Sequence, residues 1–283
     1  VSTGEVMAAL TLISLDPARP IGGEMLEAAR SLAAQAALAI GNARLYEQQV
    51  HFADAMQQSL LPDEPPDMAG IEIGSVYESS ARLEVGGDVF DYTVLPDGRL
   101  AVVVGDVTGK GIDAAADMAM TKFVFRSLAR EHPEPSDLMR IANQVVLDEV
   151  EEGKFVTMLY LTVDPATGEV VCSGAGHPEP RVVRPDGSVE ELEARGLALG
   201  IEPDQHYPEA RTTLEPGASV VLFTDGVVES RVEGELYGKV RLDRLLGEQR
   251  ALRAQQLARA VVEDSRAFAG GGLADDSAVV VVK

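Results

Sequence analysis

The sequence predicts an α+β fold in which two antiparallel sheets are flanked by helices, with one long helix leading into them. Three observations predict it. Apolar residues between Met25 and Ala53 recur at alternating spacings of four and three, the mark of a single long helix. Short apolar runs are joined by tight turns, PDG at Pro96 to Gly98 and again at Pro185 to Gly187, so neighbouring strands run antiparallel. Helical segments arrive in blocks and not after every strand, which excludes a doubly wound parallel sheet.

Taken in order, residues 6–15, VMAALTLISL, read as a buried strand, and Asp16 to Gly23 as a loop carrying two prolines and two glycines. From Glu24 to about Leu61 comes the long helix. Its seam of Met25, Ala29, Leu32, Ala36, Ala39, Ala43, Tyr46, Val50 and Ala53 has a 3.5-residue period, which favours a coiled coil and hence a homodimer. A helix packed on its own domain is the competing reading. The next seam position is Gln57, so the pattern slips there, and Met56 with Leu60 resume it one residue early. Pro62, Pro65 and Pro66 end the helix, since proline lacks the donor and clashes with the preceding turn.

Beyond Gly70 the pattern is mixed. Tyr92 to Leu95 and Leu100 to Val104 flank the first PDG turn. Ile112 to Arg130 reads as a helix, and Ser136 is positioned to cap another running to about Glu151. Phe155 to Val163 is a strand, turned by PATG into Glu169 to Ser173. Val182 to Arg184 and Val189 to Leu192 flank the second PDG. Val220 to Thr224 is a buried strand, Gln255 to Phe268 an amphipathic helix, and Ala278 to Val282 a closing strand.

Composition narrows the function classes. With 283 residues, 46% hydrophobic and 25% charged, the chain can hold one large domain, or one domain and part of another. Val1 stands where an initiator Met is expected, so the sequence reads as a fragment of a longer chain. No apolar stretch is long enough to span a bilayer, and no charged-then-apolar leader opens the chain. Against 24 basic residues stand 46 acidic ones, a net charge of -22 that repels phosphate backbones and argues against nucleic acid as a partner. A single cysteine, Cys172, excludes an intrachain disulfide framework and fits a reducing cytoplasm.

Several aspartates sit where an apolar strand ends. LAVVVGD delivers Asp106, VVLFTDG delivers Asp225, and DDSAVVVV places Asp275 and Asp276 before the last strand. VGGDVFD adds Asp88 and Asp91, with two glycines that let the backbone approach closely. Carboxylates beside buried strands are costly unless paired or bound to metal, and hard divalent ions want oxygen ligands. Converging carboxylates of this kind suit two such ions acting on a phosphorus centre. Asp97 and Asp186, each between Pro and Gly, are turn residues. Cys172 lies in an apolar strand without the phosphate-cradling loop of a cysteine phosphatase. His177, in GAGHPEP, reads as part of a shaped loop with a structural or substrate-facing role.

VGGDVFD, VGDVTGKGIDAA, FVTMLYL, GAGHPEP, LFTDGVVES and DDSAVVVV together resemble, in that order, the SpoIIE/RsbU-like branch of the PPM metal-dependent protein serine/threonine phosphatases. The likeness runs from about Ala53 to Lys283. It implies an α-β-β-α sandwich with two Mn2+ or Mg2+ ions at one end of the paired sheets. By motif, Asp88 holds one ion and Asp106 bridges both, with the Val107 carbonyl completing the second. Asp225 and Asp275 ligate the other ion. Asp91, Lys110, Gly226 and Asp276 support the site, and the choice of Asp275 over Asp276 as ligand stays open. Ala278 departs from the family, which has Thr or Ser there, and Ser277 is a possible substitute.

The mechanism so implied is attack of a metal-bridging hydroxide on phosphoserine or phosphothreonine, without a phosphoenzyme. The substrate implied is a STAS-type anti-sigma-factor antagonist. A catalytically inactive PPM domain serving as a regulated binding module is the alternative. GEVMAALTLIS followed by AIGNARLYEQQ also resembles the end of a GAF sensor domain running into a signalling helix. This gives a GAF-like remnant over 1–41, a coiled-coil helix over 24–61 and a phosphatase domain over 66–283.

Overall fold

The computed structural model describes residues 9–15, 18, 20–62, 64–79, 87–109, 112–151, 153–273 and 275–283, without the side chains of residues 53, 54, 57, 58 and 112–115. The chain divides into two compact units, Val1–Phe52 and Ala53–Lys283. In the first unit, the described residues 9–15 form no strand, contrary to the sequence reading, and residues 6–8 lie outside the described part. Leu10, Ile13 and Leu15 are exposed. An apolar run becomes a strand only where a neighbouring strand takes its backbone groups, and the described residues supply none. Helix α1 spans Gly23–Leu60, close to the predicted limits. Within the first unit Met25, Leu32 and Tyr46 of the seam are exposed.

The second unit has four layers. One sheet has the order β2-β3-β4-β5-β8, from β2 (Asp88–Val94), β3 (Leu100–Val107), β4 (Val156–Val163), β5 (Glu169–Ala175) and β8 (Glu209–Thr213). The other has the order β1-β12-β9-β6-β7, from β1 (Ile73–Glu78), β12 (Ser277–Val282), β9 (Ser219–Phe223), β6 (Arg181–Val183) and β7 (Val189–Glu191). Every strand pairing is antiparallel. Helices α2 (Ile112–Glu131) and α3 (Pro135–Glu149) cover the first sheet, and α5 (Gly238–Gln249) and α6 (Ala254–Phe268) cover the second. A short helix α4 (Asp225–Val228) and a hairpin of β10 (Arg231–Val232) and β11 (Glu235–Leu236) follow β9.

Strand alternation sorts the side chains among these layers. Phe90, Tyr92, Val102, Val104, Leu159 and Leu161 of the first sheet meet Val220, Leu222, Val280 and Val282 of the second in the central core. Val89, Ala101, Val103, Met158 and Tyr160 face α2 and α3, while Val221, Phe223, Val279 and Val281 face α5 and α6. Edge strand β1 is tied to α6 by Gln255, whose amide accepts from the Ser75 N–H at 3.0 Å and donates to the Ser75 carbonyl at 2.9 Å. That pairing satisfies backbone groups the sheet edge leaves unpaired.

Two local readings of the sequence change. Glu134 occupies the N-cap position of helix α3 without a side-chain capping bond, and Pro135 stands in the first turn, so Ser136 lies inside the helix and is not its cap. Pro at this position needs no donor and has its φ already set, so the helix starts earlier. The Ser136 N–H is taken instead by Glu209 of β8 at 3.2 Å. At the other end of α1, Met56 and Leu60 join the core beneath α2. The buried Lys122 ammonium of α2 donates to the Leu60 and Leu61 carbonyls at 2.7 and 3.1 Å, satisfying acceptors the helix end leaves unbonded.

Candidate active site

Strand parity places the acidic residues. On the first sheet Asp88 shares the inner face with Phe90 and Tyr92, and Asp106 shares it with Val102 and Val104, so the two aspartates sit directly opposite each other in the β2–β3 register. On the second sheet Thr224 continues the inward series of Val220 and Leu222, and Asp276 continues that of Ala278 and Val280. All four side chains therefore extend the central core beyond its apolar part, at one end of the sandwich. Asp225, the next residue after Thr224, starts helix α4.

Carboxylate oxygens of Asp88, Asp106 and Asp225 all lie within 4.8 Å of one another. Asp88 is buried and accepts a hydrogen bond from the Thr224 hydroxyl at 2.6 Å. Burial drives its carboxyl well above the ordinary aspartate range, against the Thr224 bond, and the charges of Asp106, Asp276 and Asp225 push the same way. Asp225 is raised by burial, then by Glu229 and Asp275. Like charges this close persist only when protonated or neutralised by a cation. The donors are hard oxygens throughout, and they fit a hard divalent ion.

Glycine makes the convergence sterically possible. A Cβ on Gly87 would lie 2.4 Å from Asp106 Oδ1 and 2.5 Å from the Val107 carbonyl oxygen, so the backbone packs directly against both predicted ligands. A Cβ on Gly226 would lie 1.8 Å from the Asp276 carbonyl oxygen. Only glycine permits either approach.

The two aspartates left unresolved in sequence go to different places. Asp276 is buried on the inner side, accepts from the Ser79 hydroxyl at 3.0 Å and acts electrostatically on Asp88. Asp275 is exposed and lines a cavity of about 260 Å³ with Asp225, Gly226, Glu229 and Arg231. The Asp276 N–H donates to the Asp275 carboxylate at 3.0 Å. Asp91 turns to the opposite face of β2, toward α2, where the Arg126 guanidinium grips both its oxygens at 2.5 and 3.1 Å. Ser277 Oγ is buried beside Gly226 and makes no hydrogen bond among the described residues. Lys110 lies outside the described residues.

Sequence reasoning missed Thr224, Glu229 and Arg231. Thr224 was legible in principle, because it is two residues from Leu222 and so shares its face. Glu229 and Arg231 depend on the turn of α4, which a four-residue segment does not announce.

A family profile described as Stage II sporulation protein E (SpoIIE) matches residues 96–283. Phosphoserine phosphatase RsbU of Bacillus subtilis (strain 168) is 30% identical over 237 residues, covering 83% of this chain and 70% of that protein. Phosphoserine phosphatase RsbP of the same organism is 24% identical over 187 residues, covering 65% of this chain and 46% of RsbP. Among solved structures, the RsbU and RsbW domains of Rv1364c from Mycobacterium tuberculosis align with a TM-score of 0.68 at 28% identity, over 76% of this chain and 60% of that one. The SiaA-PP2C domain of Pseudomonas aeruginosa aligns with a TM-score of 0.73 at 18% identity, over 86% and 98%. That last likeness concerns the fold.

Proposed function

The chain belongs to the SpoIIE family, and on that premise we propose that it is a PPM-type protein serine/threonine phosphatase acting on a phosphorylated regulatory protein. The observation that carries the reading is the convergence of Asp88, Asp106 and Asp225 within 4.8 Å at one end of the paired sheets. Relatives named phosphoserine phosphatases support the substrate class. A STAS-type anti-sigma-factor antagonist is the substrate we favour, a reading supported by the likeness to the RsbU and RsbW domains of Rv1364c.

Asp88, Asp106, the Val107 carbonyl, Asp225 and Asp275 are the groups we assign to two divalent ions, Mn2+ or Mg2+. When bound, the ions supply Lewis acidity, lowering the pKa of water and offsetting the charge of the phosphoryl group. The chain's own part is positional. Thr224 fixes the Asp88 carboxylate by its hydroxyl, and Gly87 and Gly226 let the backbone close in behind Asp106 and Asp276. Arg231 brings a positive charge to the cavity that Asp225 and Asp275 line, where a phosphoryl dianion needs one. Asp91 supports the site from behind by joining β2 to α2. Hydrolysis exchanges the phosphorus–serine oxygen bond for a phosphorus–water oxygen bond and returns a proton to the serine.

Dimerisation through the exposed seam of α1 is the quaternary arrangement we favour. An inactive binding module has no use for three converging carboxylates, which disfavours the alternative. The test is hydrolysis of a chromogenic phosphate ester and of a phosphoserine peptide, with and without Mn2+, by the parent and by Asp106→Ala. Metal-dependent turnover that Asp106→Ala abolishes supports the phosphatase. A parent that binds Mn2+ in calorimetry yet hydrolyses neither substrate points to the binding module.

A further inference from the structure

His177 follows Gly176, whose left-handed backbone (φ +67°) turns the chain out of β5. A Cβ on Gly176 would lie 2.9 Å from the Ala198 Cβ, so the turn is both strained for other residues and closely packed. The turn delivers the imidazole into the interior between the two sheets, where it is buried. Nδ1 lies 2.9 Å from the Thr157 hydroxyl. Thr157 is the β4 residue directly opposite Asp106 in the β3–β4 register. On the other sheet, the backbone of Phe223 faces the ring, and Phe223 immediately precedes Thr224 and Asp225. Nε2 makes no hydrogen bond among the described residues.

The residues after His177 reinforce the same junction. The Arg181 guanidinium lies over the Phe223 ring, 5.7 Å from its centroid. Arg181 is itself held by Asp243 at 2.8 Å, Glu191 at 2.9 Å and the Glu179 carbonyl at 2.9 Å. Glu179 is held in turn by Arg195 and, at 3.1 Å, by Lys239. The segment from His177 to Arg181 thus touches the end of β9 twice and β4 once, all within two residues of Asp106, Thr224 or Asp225 along or across the strands.

We propose that His177 is a positioning residue, bridging Thr157 beside Asp106 to the Phe223 end of β9 and so fixing the distance between the carboxylates of the two sheets. The inference rests on the two-metal reading given above. Asp88 and Asp106 come from one sheet and Asp225 from the other, so a metal site shared among them needs the sheets locked at that end. Apolar packing locks them elsewhere, whereas at this end the described inner-face residues are Asp88, Asp106, Thr224 and Asp276. Burial keeps the imidazole neutral, down to about 4, so it places no positive charge under a cation site.

The test is calorimetric titration of Mn2+ into the full chain, for the parent, Thr157→Val, His177→Leu, the double variant and His177→Asn, with metal-free melting of each. Thr157→Val is nearly isosteric and keeps the fold even if His177→Leu does not. Groups that orient metal ligands from behind are worth roughly 10–100-fold in affinity, and the lower figure applies to one step further out. Thr157→Val and His177→Leu are each expected to weaken Mn2+ binding about tenfold, with the double variant no weaker than either, because they break one link. His177→Asn, whose amide takes the place of Nδ1, is expected to recover most of the loss. Parent-like affinity in Thr157→Val, or losses that multiply in the double variant, would overturn the inference. So would a lower melting temperature with unchanged affinity. A parent that binds no Mn2+ overturns the two-metal reading itself, which the first titration separates from the rest.

Discussion

Removing the Arg126 guanidinium tests how β2, the strand that begins at Asp88, is held to its covering helix. Asp91 is wholly buried, and both its oxygens are gripped by Arg126, whose side chain is 41% exposed. Truncating one partner of a buried pair strands the other charge, at about 3–5 kcal/mol, and the exposed flank of Arg126 favours the lower end. Arg126→Met keeps the aliphatic packing on α2 and removes only the charge and its donors. For a folded unit of this size each kcal/mol moves the melting temperature by about 2–4 °C, so a fall of about 6–12 °C is expected. Asp91→Asn in the same chain removes the stranded charge and keeps an acceptor for the Tyr92 N–H, which donates to Asp91 at 2.9 Å. The double variant is therefore expected to melt well above Arg126→Met alone. Metal-free calorimetric melting of the parent, the single and the double variants decides it. An Arg126→Met chain melting within about 2 °C of the parent, or a double variant no better than the single, refutes the reasoning.

Three further outcomes are expected. Gly226→Ala forces a methyl onto the Asp276 carbonyl, so it should lower stability by about 1–3 kcal/mol in urea melts and weaken Mn2+ binding; a neutral result would mean that the 275–276 segment yields freely. His177, neutral when folded at about 4 against an ordinary 6.5, leaves the unfolded chain binding the extra proton, so its contribution is complete above pH 6.5 and is lost as pH falls toward 4. With Glu179 the charged group facing the ring, that loss amounts to about 3 kcal/mol across the window, and His177→Asn should flatten the urea stability profile between pH 7 and 5 relative to the parent. Leu32→Pro breaks the seam of α1 at about 3 kcal/mol of helix stability, and sedimentation should show a shift from dimer to monomer; a parent that already sediments as a monomer refutes the dimer.

Much of the second unit was legible because its turns and strand ends carry their own chemistry. PDG at Pro96 to Gly98 and at Pro185 to Gly187 set β2–β3 and β6–β7, and apolar runs ending in Asp106 and Asp225 pointed to the site. The unread parts share a cause. Strand β1 is only half buried and holds Gly74, β8 is polar and at a sheet edge, and α4 and the β10–β11 hairpin are too short to show a period. Residues 9–15 failed in the opposite way: they look like a strand, but pairing is a property of two segments, and composition reports only one. The motif favoured Asp275 over Asp276 as the ligand and left the choice open, although counting back by twos from Val280 assigns Asp276 to the inner face. Asp91 and Asp88, three apart on one strand, necessarily point to opposite faces, which sends one to Arg126 and the other to the acidic cluster.

The position of β12 within its sheet bears on how the protein is made. It lies between β1 and β9 and pairs Val282 with Ile73, so contacts near the middle of the fold join residues more than two hundred apart. Contacts of that sequence separation slow folding, because the intervening chain must be ordered before they form. On the ribosome, β1 and β9 would stand with bare backbone edges until residues 277–282 emerge, and Asp275 and Asp276 arrive only with them. The second sheet and the contribution of Asp275 and Asp276 to the acidic end are therefore completed together, after Asp88, Asp106 and Asp225 have all been synthesised.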